Sequence, residues 1–424
     1  MRTVVLGSGG REHAIFLKLL HSPTVTDLYF APGNGGAGEK HRFPADILNF
    51  PELEKIFREK NIELLVVGPE APLAAGIVDY FAEKMPELLV FGPDENGAQL
   101  EASKLFSSTF MDEAGIPQAK SRPANDLTHA KKILAEHPLP VVIKADGLAA
   151  GKGVSIHQDR NEAEQKLEEI FNDKIFGEAG MAVLFQEFLQ GKEASLFAIC
   201  NGKDAVYLPS AQDYKRAYDG QTGPNTGGMG SFSPGNILNK KHIEFVHNQI
   251  VKKVIEKFQY KGILYVGLMI DNDDISVVEF NCRLGDPETQ SVMPMLETDL
   301  LPYLTWAAGK SNEVFTVLEN GYRSAPQKPG YTINVVLTAK GYPGNYNKGI
   351  ELPLPENIPE YIHIVHAGTK TENGKLVSTG GRIMSIVCYD KNPAEARKKV
   401  YNFIDSIKDS IDFEKLHFRT DIGL

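Results

Sequence analysis

Apolar and polar positions follow two successive rhythms along this chain. Over the first hundred residues, short apolar runs at 3–6, 27–31, 64–67 and 88–91 are separated by amphipathic stretches of helical period at 12–20, 52–60 and 76–83. Strands with helices interposed make βαβ units, hence a parallel sheet buried on both faces. Glycines fall at the strand ends, in Gly7-Ser8-Gly9-Gly10, Pro32-Gly33-Asn34-Gly35-Gly36 and Gly68-Pro69-Glu70. Ligand crevices of open α/β sheets lie beyond those ends, so the three loops are expected to face one site.

After Gly97 the rhythm changes. One helix is expected over 99–114, and from Pro138 to Leu189 come strand, glycine loop, strand, charged helix and strand, the size of a small lid subdomain. Strands rich in β-branched and aromatic residues return at 194–199, 206–209, 262–271 and 276–281. The Pro- and Gly-bearing stretch 324–330 reads as a boundary, beyond which strands at 331–338, 363–370 and 382–389 and a helix at 393–407 make a smaller strand-rich domain.

Composition narrows the class. A chain of 424 residues holds about two to four domains, and 24% charged with 42% hydrophobic residues is ordinary for a folded soluble protein. With 45 Lys+Arg against 55 Asp+Glu the net charge is −10, the wrong sign for neutralising nucleic acid or anionic lipid. A bound phosphate therefore needs a local cage. Cys200, Cys282 and Cys388 are too scattered for a disulfide framework or a zinc knuckle, which fits a reducing cytosol. No apolar signal core follows Met1 and no apolar run approaches the ~18 residues of a membrane helix, so a cytoplasmic protein is expected.

Five segments carry chemistry. Gly7-Ser8-Gly9-Gly10-Arg11-Glu12-His13 lacks the third glycine of a dinucleotide loop, because Glu12 stands where close helix packing needs Gly. The backbone N–H groups of Gly9 and Gly10 and the fork of Arg11 suit a phosphate monoester, an ordinary turn being the alternative. In the segment 141–154 a strand ends at Lys144 and a loop with Gly147, Gly151, Lys152 and Gly153 returns into another strand, so amides and an ammonium can close over polyphosphate. The segment 184–189 can show backbone groups to an adenine edge, or be a plain core strand. Along 277–283, Glu279, Asn281 and Arg283 share one strand face while Val278, Phe280 and Cys282 point to the core; two oxygen donors and a guanidinium suit Mg²⁺ with phosphoryl oxygens, or make a solvated face with an ion pair. Lys215 and Arg216, after Asp213-Tyr214, precede the glycine-rich run 222–230, a loop with many free amides.

Together the runs 7–13, 68–73 (Gly-Pro-Glu-Ala-Pro-Leu), 144–153, 223–230 (Gly-Pro-Asn-Thr-Gly-Gly-Met-Gly) and 283–288 (Arg-Leu-Gly-Asp-Pro-Glu) resemble the phosphoribosylamine–glycine ligases, the glycinamide ribonucleotide synthetases of purine biosynthesis in the ATP-grasp superfamily. The resemblance extends to Ser378-Thr379-Gly380-Gly381-Arg382. Two positions depart from it: Tyr214 stands where the family often has His, and Gly267 where many ATP-grasp enzymes carry a metal carboxylate.

The resemblance implies an α/β ATP-grasp fold: an N-terminal doubly wound, Rossmann-like substrate domain (1–103), an ATP-grasp region (104–323) with a lid at about 120–190 and a central mixed sheet at 191–323, and a C-terminal domain (324–424). It implies ATP-dependent ligation of glycine to 5-phosphoribosylamine through glycyl phosphate, with another ATP-grasp carboxylate–amine ligase as the alternative. Lys104, Lys144, Gly147, Gly151, Lys152 and Gly153 would serve the ATP phosphates, Glu187 and Leu189 the adenine through their backbones, and Glu193 the ribose. Arg283 would hold the acyl phosphate, and Asp213 with Lys215 would act beside it, Asp213 orienting an amine. Gly9, Gly10, Arg11, Asn225, Thr226, Asp286 and Pro287 would bind substrate, and Glu279 and Asn281 would hold Mg²⁺ or Mn²⁺. The partners implied are small molecules only, with neither nucleic acid nor membrane. A monomer is expected, with transient hand-over from the upstream amidotransferase. Two other classes remain open on the residues alone, a nicotinamide oxidoreductase, against which Glu12 stands, and a nucleotide sensor, which need not keep Glu279 and Asn281.

Overall fold

The strands Arg2–Gly7, Asp27–Pro32, Leu64–Val67 and Leu89–Phe91 form a wholly parallel sheet in which the first strand lies between the second and the third. Val4, Val5, Leu6, Leu64, Leu65 and Val66 are fully buried, as a parallel sheet covered by helices on both faces requires. The protein is described here by a computed structural model covering residues 1–148, 153–311 and 313–424.

The expected helix over 99–114 is two helices, Glu95–Ala102 and Lys104–Glu113, broken at Ser103. Ser103 has extended backbone and its side chain accepts from the N–H of Phe106, so an N-cap interrupts an otherwise continuous apolar period. Residues 121–187 form a four-stranded antiparallel sheet ordered Ser121–Ala124, Val183–Glu187, Val141–Ala145, Val154–His157, with helices Leu127–Glu136 and Arg160–Phe171 packed against it around Ile133, Leu167 and Phe185.

The central six-stranded sheet runs Asp274–Asn281, Lys261–Asp271, Lys192–Asn201, Ala205–Tyr207, Tyr322–Ser324, Val317–Glu319. Between its first two strands the register slips: Gly267 opposes Glu279 while Leu268 opposes Val277. This bulge reverses the inward face, so Ile275 and Val277 are buried before it and Phe280 and Cys282 after it. Val278, expected in the core, falls on the bulge and is only half-buried.

A further sheet, ordered Gln212–Asp213, Gly230–Ser233, Tyr331–Ala339, Arg382–Asp390, Ile362–His366, draws its first two strands from the glycine-rich middle of the chain. The strand expected over 363–370 is two, Ile362–His366 and Thr369–Glu372, turned at Ala367-Gly368. A Cβ on Gly368 would lie 2.6 Å from the N of Gly380, so that turn needs glycine. Helix Pro393–Ser406 covers the sheet with Val400 and Ile404. Among the described residues no helix is long and apolar enough to cross a membrane.

Candidate active site

The bulge aims Glu279 into a narrow cleft lined also by Glu193, Ser195, Lys215, Tyr265 and Gly267. A Cβ on Gly267 would stand 3.2 Å from Cγ of Glu279, so a side chain there would have to move the Glu279 carboxylate aside. Burial pushes the Glu279 carboxyl upward, but Lys215, Lys144 and Lys104 outweigh it and keep the group below its ordinary pKa. Neither Glu279 nor the buried amide of Asn281 accepts a hydrogen bond from a described residue. Two uncommitted oxygen donors on one strand fit a hard divalent cation. Among the described residues no cluster of three or more His, Cys, Asp or Glu side chains could hold a metal, so a cation here needs phosphate or water oxygens as its remaining ligands.

Three lysines converge on this cleft. Lys144, at the end of its strand, donates to the Val278 carbonyl at 2.9 Å, and burial, with Lys104 and Lys215 adding to it against Glu279, lowers its pKa to about 8. Lys104 donates to Gly147 O at 3.3 Å, and Asp146 accepts from Ser103 Oγ and Leu105 N, each at 2.9 Å, so the start of the glycine loop is moored to a helix N-terminus. Gly147 packs so closely on Ala179 that a Cβ would stand 2.7 Å away. The Gly153 carbonyl accepts from Ala145 N at 2.8 Å; Gly151 and Lys152 lie outside the described residues. Lys215 donates to Glu193 at 2.8 Å. Its burial opposes the charge, but Asp213, Glu193 and Glu279 push its pKa well up, while burial pushes the Asp213 carboxyl up to about 7 against the pull of Lys215.

In the expected hinge strand, Glu187 N–H is donated to Lys120 O at 3.1 Å and its side chain accepts from Lys120 N at 3.0 Å, so of its backbone groups the carbonyl is the one left to meet an adenine edge. Beside it Phe188 is exposed.

A larger cavity of about 480 Å³ lies where the N-terminal, central and C-terminal regions meet, lined by Ser8, Gly9, Gly10, Asn34, Asp286, Thr369, Lys370, Thr379 and Arg382 among others. Two of the three expected glycine loops reach it. The third contributes Glu70, which instead faces Arg11 at 3.8 Å and Arg283 at 3.4 Å. Arg11 is corrected as well: it is buried, pairs with Glu12 at 2.5 Å, donates to Leu284 O at 3.2 Å and does not line the cavity. Glu12 accepts from Gly9 N at 2.8 Å and lies across Gly7 and Gly68, whose Cβ atoms would stand 2.5 and 2.2 Å from it. A buried carboxylate there draws the arginine inward. The cavity's cations are Lys370 and Arg382. Arg382 lies 3.0 Å from the Asp286 carboxylate and donates to the carbonyls of Asp286, at 2.9 Å, and Gly227. Burial pushes the Asp286 carboxyl up, yet Arg382 and Arg11 together hold it below its usual value.

Three other expected substrate residues also hold the local structure. Pro287 gives its carbonyl to Ser231 Oγ at 2.8 Å and Asn334 Nδ2 at 2.9 Å, pinning the turn that carries Asp286. Thr226 donates to Lys215 O at 2.8 Å and accepts from Gly228 N at 2.9 Å, fixing the lysine's backbone, and Asn225 pairs with Arg216 in the same hairpin. Arg283 is held by Glu101 at 2.7 Å and Glu70, whose charges outweigh burial and raise its pKa. The Tyr214 hydroxyl accepts from Gly423 N at 3.0 Å and its ring carries Arg419 at 4.9 Å. Sequence reasoning missed Arg382 as a cavity cation, although its run was noted, and missed Glu101 and Glu288, which no spacing singled out. Glu288 is buried and accepts from Ser195 Oγ at 3.3 Å.

Three family models for phosphoribosylglycinamide synthetase match in order: the N domain over residues 1–101, the ATP-grasp (A) domain over 102–289 and the C domain over 332–424. The chain belongs to that family. Phosphoribosylamine–glycine ligase of Leptospira interrogans serovar Lai is 42% identical over 433 residues, covering 100% of this chain and 98% of the relative. That of Caldanaerobacter subterraneus is 39% identical over 434 residues, covering 100% and 99%. Among solved structures, phosphoribosylamine–glycine ligase of Thermotoga maritima superposes with TM-score 0.79 at 33% identity, covering 99% of this chain and 100% of that one. The biotin carboxylase domain of Hydrogenobacter thermophilus 2-oxoglutarate carboxylase, solved with MgADP and bicarbonate, shares the fold, with TM-score 0.73 at 16% identity over 96% and 90% of the two chains. Family membership and this ATP-grasp architecture make the protein an ATP-dependent ligase whose fold binds ATP with a divalent metal.

Proposed function

We propose that the protein joins glycine to 5-phosphoribosylamine at the cost of ATP, giving glycinamide ribonucleotide, ADP and phosphate. One observation carries the reading: Glu279, with no hydrogen-bonded partner, lines a cleft with Lys215 and feels the charge of Lys144 and Lys104, in a chain that aligns over its whole length with phosphoribosylamine–glycine ligases. A glycine carboxylate oxygen forms a bond to the γ-phosphorus as the bond to the β–γ bridging oxygen breaks and ADP leaves. The phosphoribosylamine nitrogen then bonds to the glycyl carbonyl carbon, phosphate departs, and the amine loses a proton. Work of this kind is positioning and electrostatics. Lys144 and Lys104 bear on the triphosphate, Glu193 and the 187–189 strand on the nucleoside, and Lys215 on the transferring group. Glu279 and Asn281 would hold Mg²⁺, with Mn²⁺ compatible with the same oxygens; the cation when bound spreads the phosphoryl charge.

The phosphorylated amine belongs in the cavity of about 480 Å³, with its anion toward Arg382 and Lys370. Release of phosphate from ATP that requires glycine and phosphoribosylamine together is the expected result. Turnover with glycine replaced by another carboxylate, and none with glycine, would leave only the wider class of carboxylate–amine ligases.

A further inference from the structure

We infer that the C-terminal segment 417–423 is a positioning element for Lys215, with Arg419 at its centre, an inference that rests on the role given to Lys215 above. Arg419 is fully buried and uses its whole guanidinium. It is paired with Asp421 at 2.6 Å, donates to Arg216 O and Gln221 Oε1, each at 3.0 Å, and stacks on Tyr214. Neighbours in the segment extend the grip. His417 Nε2 donates to Ala217 O at 2.7 Å and its ring meets Tyr218 edge-on at 5.4 Å. Thr420 donates through N and Oγ1 to Asp219, Asp421 accepts from Gly220 N at 2.9 Å, and Gly423 N donates to Tyr214.

From Tyr214 to Gln221, then, every residue but Lys215 is touched by this segment. Lys215 turns the other way, to Glu193, because successive side chains of an extended chain leave on opposite faces. Gln221 sits at φ +59°, a left-handed backbone for a residue with a side chain, and the bond from Arg419 helps hold it there. The segment itself is fixed from behind by helix Pro393–Ser406. Tyr401 donates to Arg419 O at 2.9 Å and accepts from Ile422 N at 3.2 Å, and Arg397 donates to Thr420 O and Ile422 O. A continuous chain of bonds thus runs from the outer helix through Arg419 to the backbone on both sides of Lys215.

The test is Arg419→Ala in the full chain, with Val400→Ala as a control that opens a cavity in the same helix's core without touching the loop. Arg419→Ala is expected to lower kcat about a hundredfold while KM for phosphoribosylamine moves less than about twofold, and millimolar guanidinium ion is expected to restore about a tenth or more of the lost rate. Val400→Ala is expected to lose thermal stability and keep kcat. Should Arg419→Ala fail to fold, a chain ending at Ile422 leaves Arg419 in place, removes the donor to Tyr214 and is expected to lower kcat about threefold to tenfold. Amine-reactive labelling of Lys215, read by mass spectrometry well below the melting temperature, is expected to rise in Arg419→Ala and in the shortened chain but not in Val400→Ala. Normal kcat in a folded Arg419→Ala, or, where that variant does not fold, in the shortened chain, overturns the inference; so does loss of rate in Val400→Ala matching its loss of stability. A wild-type chain without glycine-dependent turnover overturns the proposed reaction instead, and the labelling then decides the positioning alone.

Discussion

The two hollows of this molecule treat their charges in opposite ways. At the narrow cleft the carboxylate of Glu279, and on the same strand the amide of Asn281, have no hydrogen-bonded partner among the described residues, and the nearby buried ammonium of Lys144 rests only on the Val278 carbonyl. Around the larger cavity each arginine already has a carboxylate: Arg11 has Glu12, Arg283 has Glu101, Arg382 has Asp286. A charge left without a partner in a low-dielectric site is costly to the fold and ready for a ligand. A paired one stabilises the fold and must be exchanged for the ligand. Removing the disfavoured charge of Lys144 is therefore expected to cost function without stability, whereas breaking an ion pair of the second hollow is expected to cost stability as well.

The sharpest break of that contrast would be Lys144→Met. Burial lowers the pKa of Lys144 to about 8, so the folded protein disfavours its charge and a neutral side chain of similar length relieves that cost. Activity is expected to fall about a thousandfold with the melting temperature unchanged or higher. A variant that melts early would place Lys144 among the paired, structural charges. Next in size, Glu279→Gln is expected to cost about a hundredfold in turnover and to weaken Mg²⁺ binding measured by calorimetry, again with little change in stability, because the packed face of its strand, Phe280 and Cys282, is untouched. Unaltered Mg²⁺ affinity would move the metal off this strand.

The same contrast explains what could be read from residues alone. Strand ends bearing glycine and lysine, the run 283–288 and the parallel N-terminal sheet follow from local periodicity and turn chemistry, and the structure places them where those rules put them. Val278 alone of its expected face could not be read correctly, since a bulge is a pairing event between Gly267 and Glu279 that neither strand announces by itself, while Phe280 and Cys282 are buried as expected. Arg11 was legible as a cation after a glycine loop but not as a buried one: besides its neighbour Glu12, it meets Glu70, 59 positions away, and the carbonyl of Leu284, 273 away. Ionic partners far apart in sequence are what spacing rules cannot see, and the larger cavity is built from them.

A pH measurement reaches the wall between the N-terminal and C-terminal regions. His366 N donates to Nδ1 of His13 at 2.9 Å, and burial, with the neighbouring His366, lowers the pKa of His13 to about 3, while burial lowers that of His366 to about 4. Both folded values lie below the unfolded value of 6.5. The unfolded chain therefore binds protons first as pH falls, so the contribution is intact above about pH 6.5 and is lost progressively toward pH 4. Urea unfolding at pH 6 is expected to show the pair contributing roughly 1–2 kcal/mol less than at pH 8. His13→Gln is expected to remove about half of that slope. A slope unchanged in the variant would assign the titration elsewhere.

The last test separates an arginine that lines the larger cavity from one that does not. Arg382 lines it, and one of its contacts is the carboxylate of Asp286, itself a lining residue, so an incoming phosphate can take over the guanidinium with little movement. Arg11 faces away, between Glu12 and the Leu284 carbonyl. Removing Arg382 deletes one charge-assisted contact to the ligand and leaves the Asp286 carboxylate unpaired beside the incoming anion, so the loss is that of one such contact or more. Arg382→Ala is accordingly expected to raise the KM for phosphoribosylamine about tenfold, leaving that for ATP within about twofold. Arg11→Ala leaves the buried Glu12 carboxylate without its cation, and is expected to destabilise the fold by about 3 kcal/mol while a folded fraction keeps its KM. The measurement is a pair of saturation curves and a pair of urea titrations. If Arg11→Ala alone raises the KM for phosphoribosylamine, the anion sits on the helix N-terminus behind Gly9 and Gly10 rather than on the C-terminal arginine, and the paired charges of this cavity are no obstacle to the ligand.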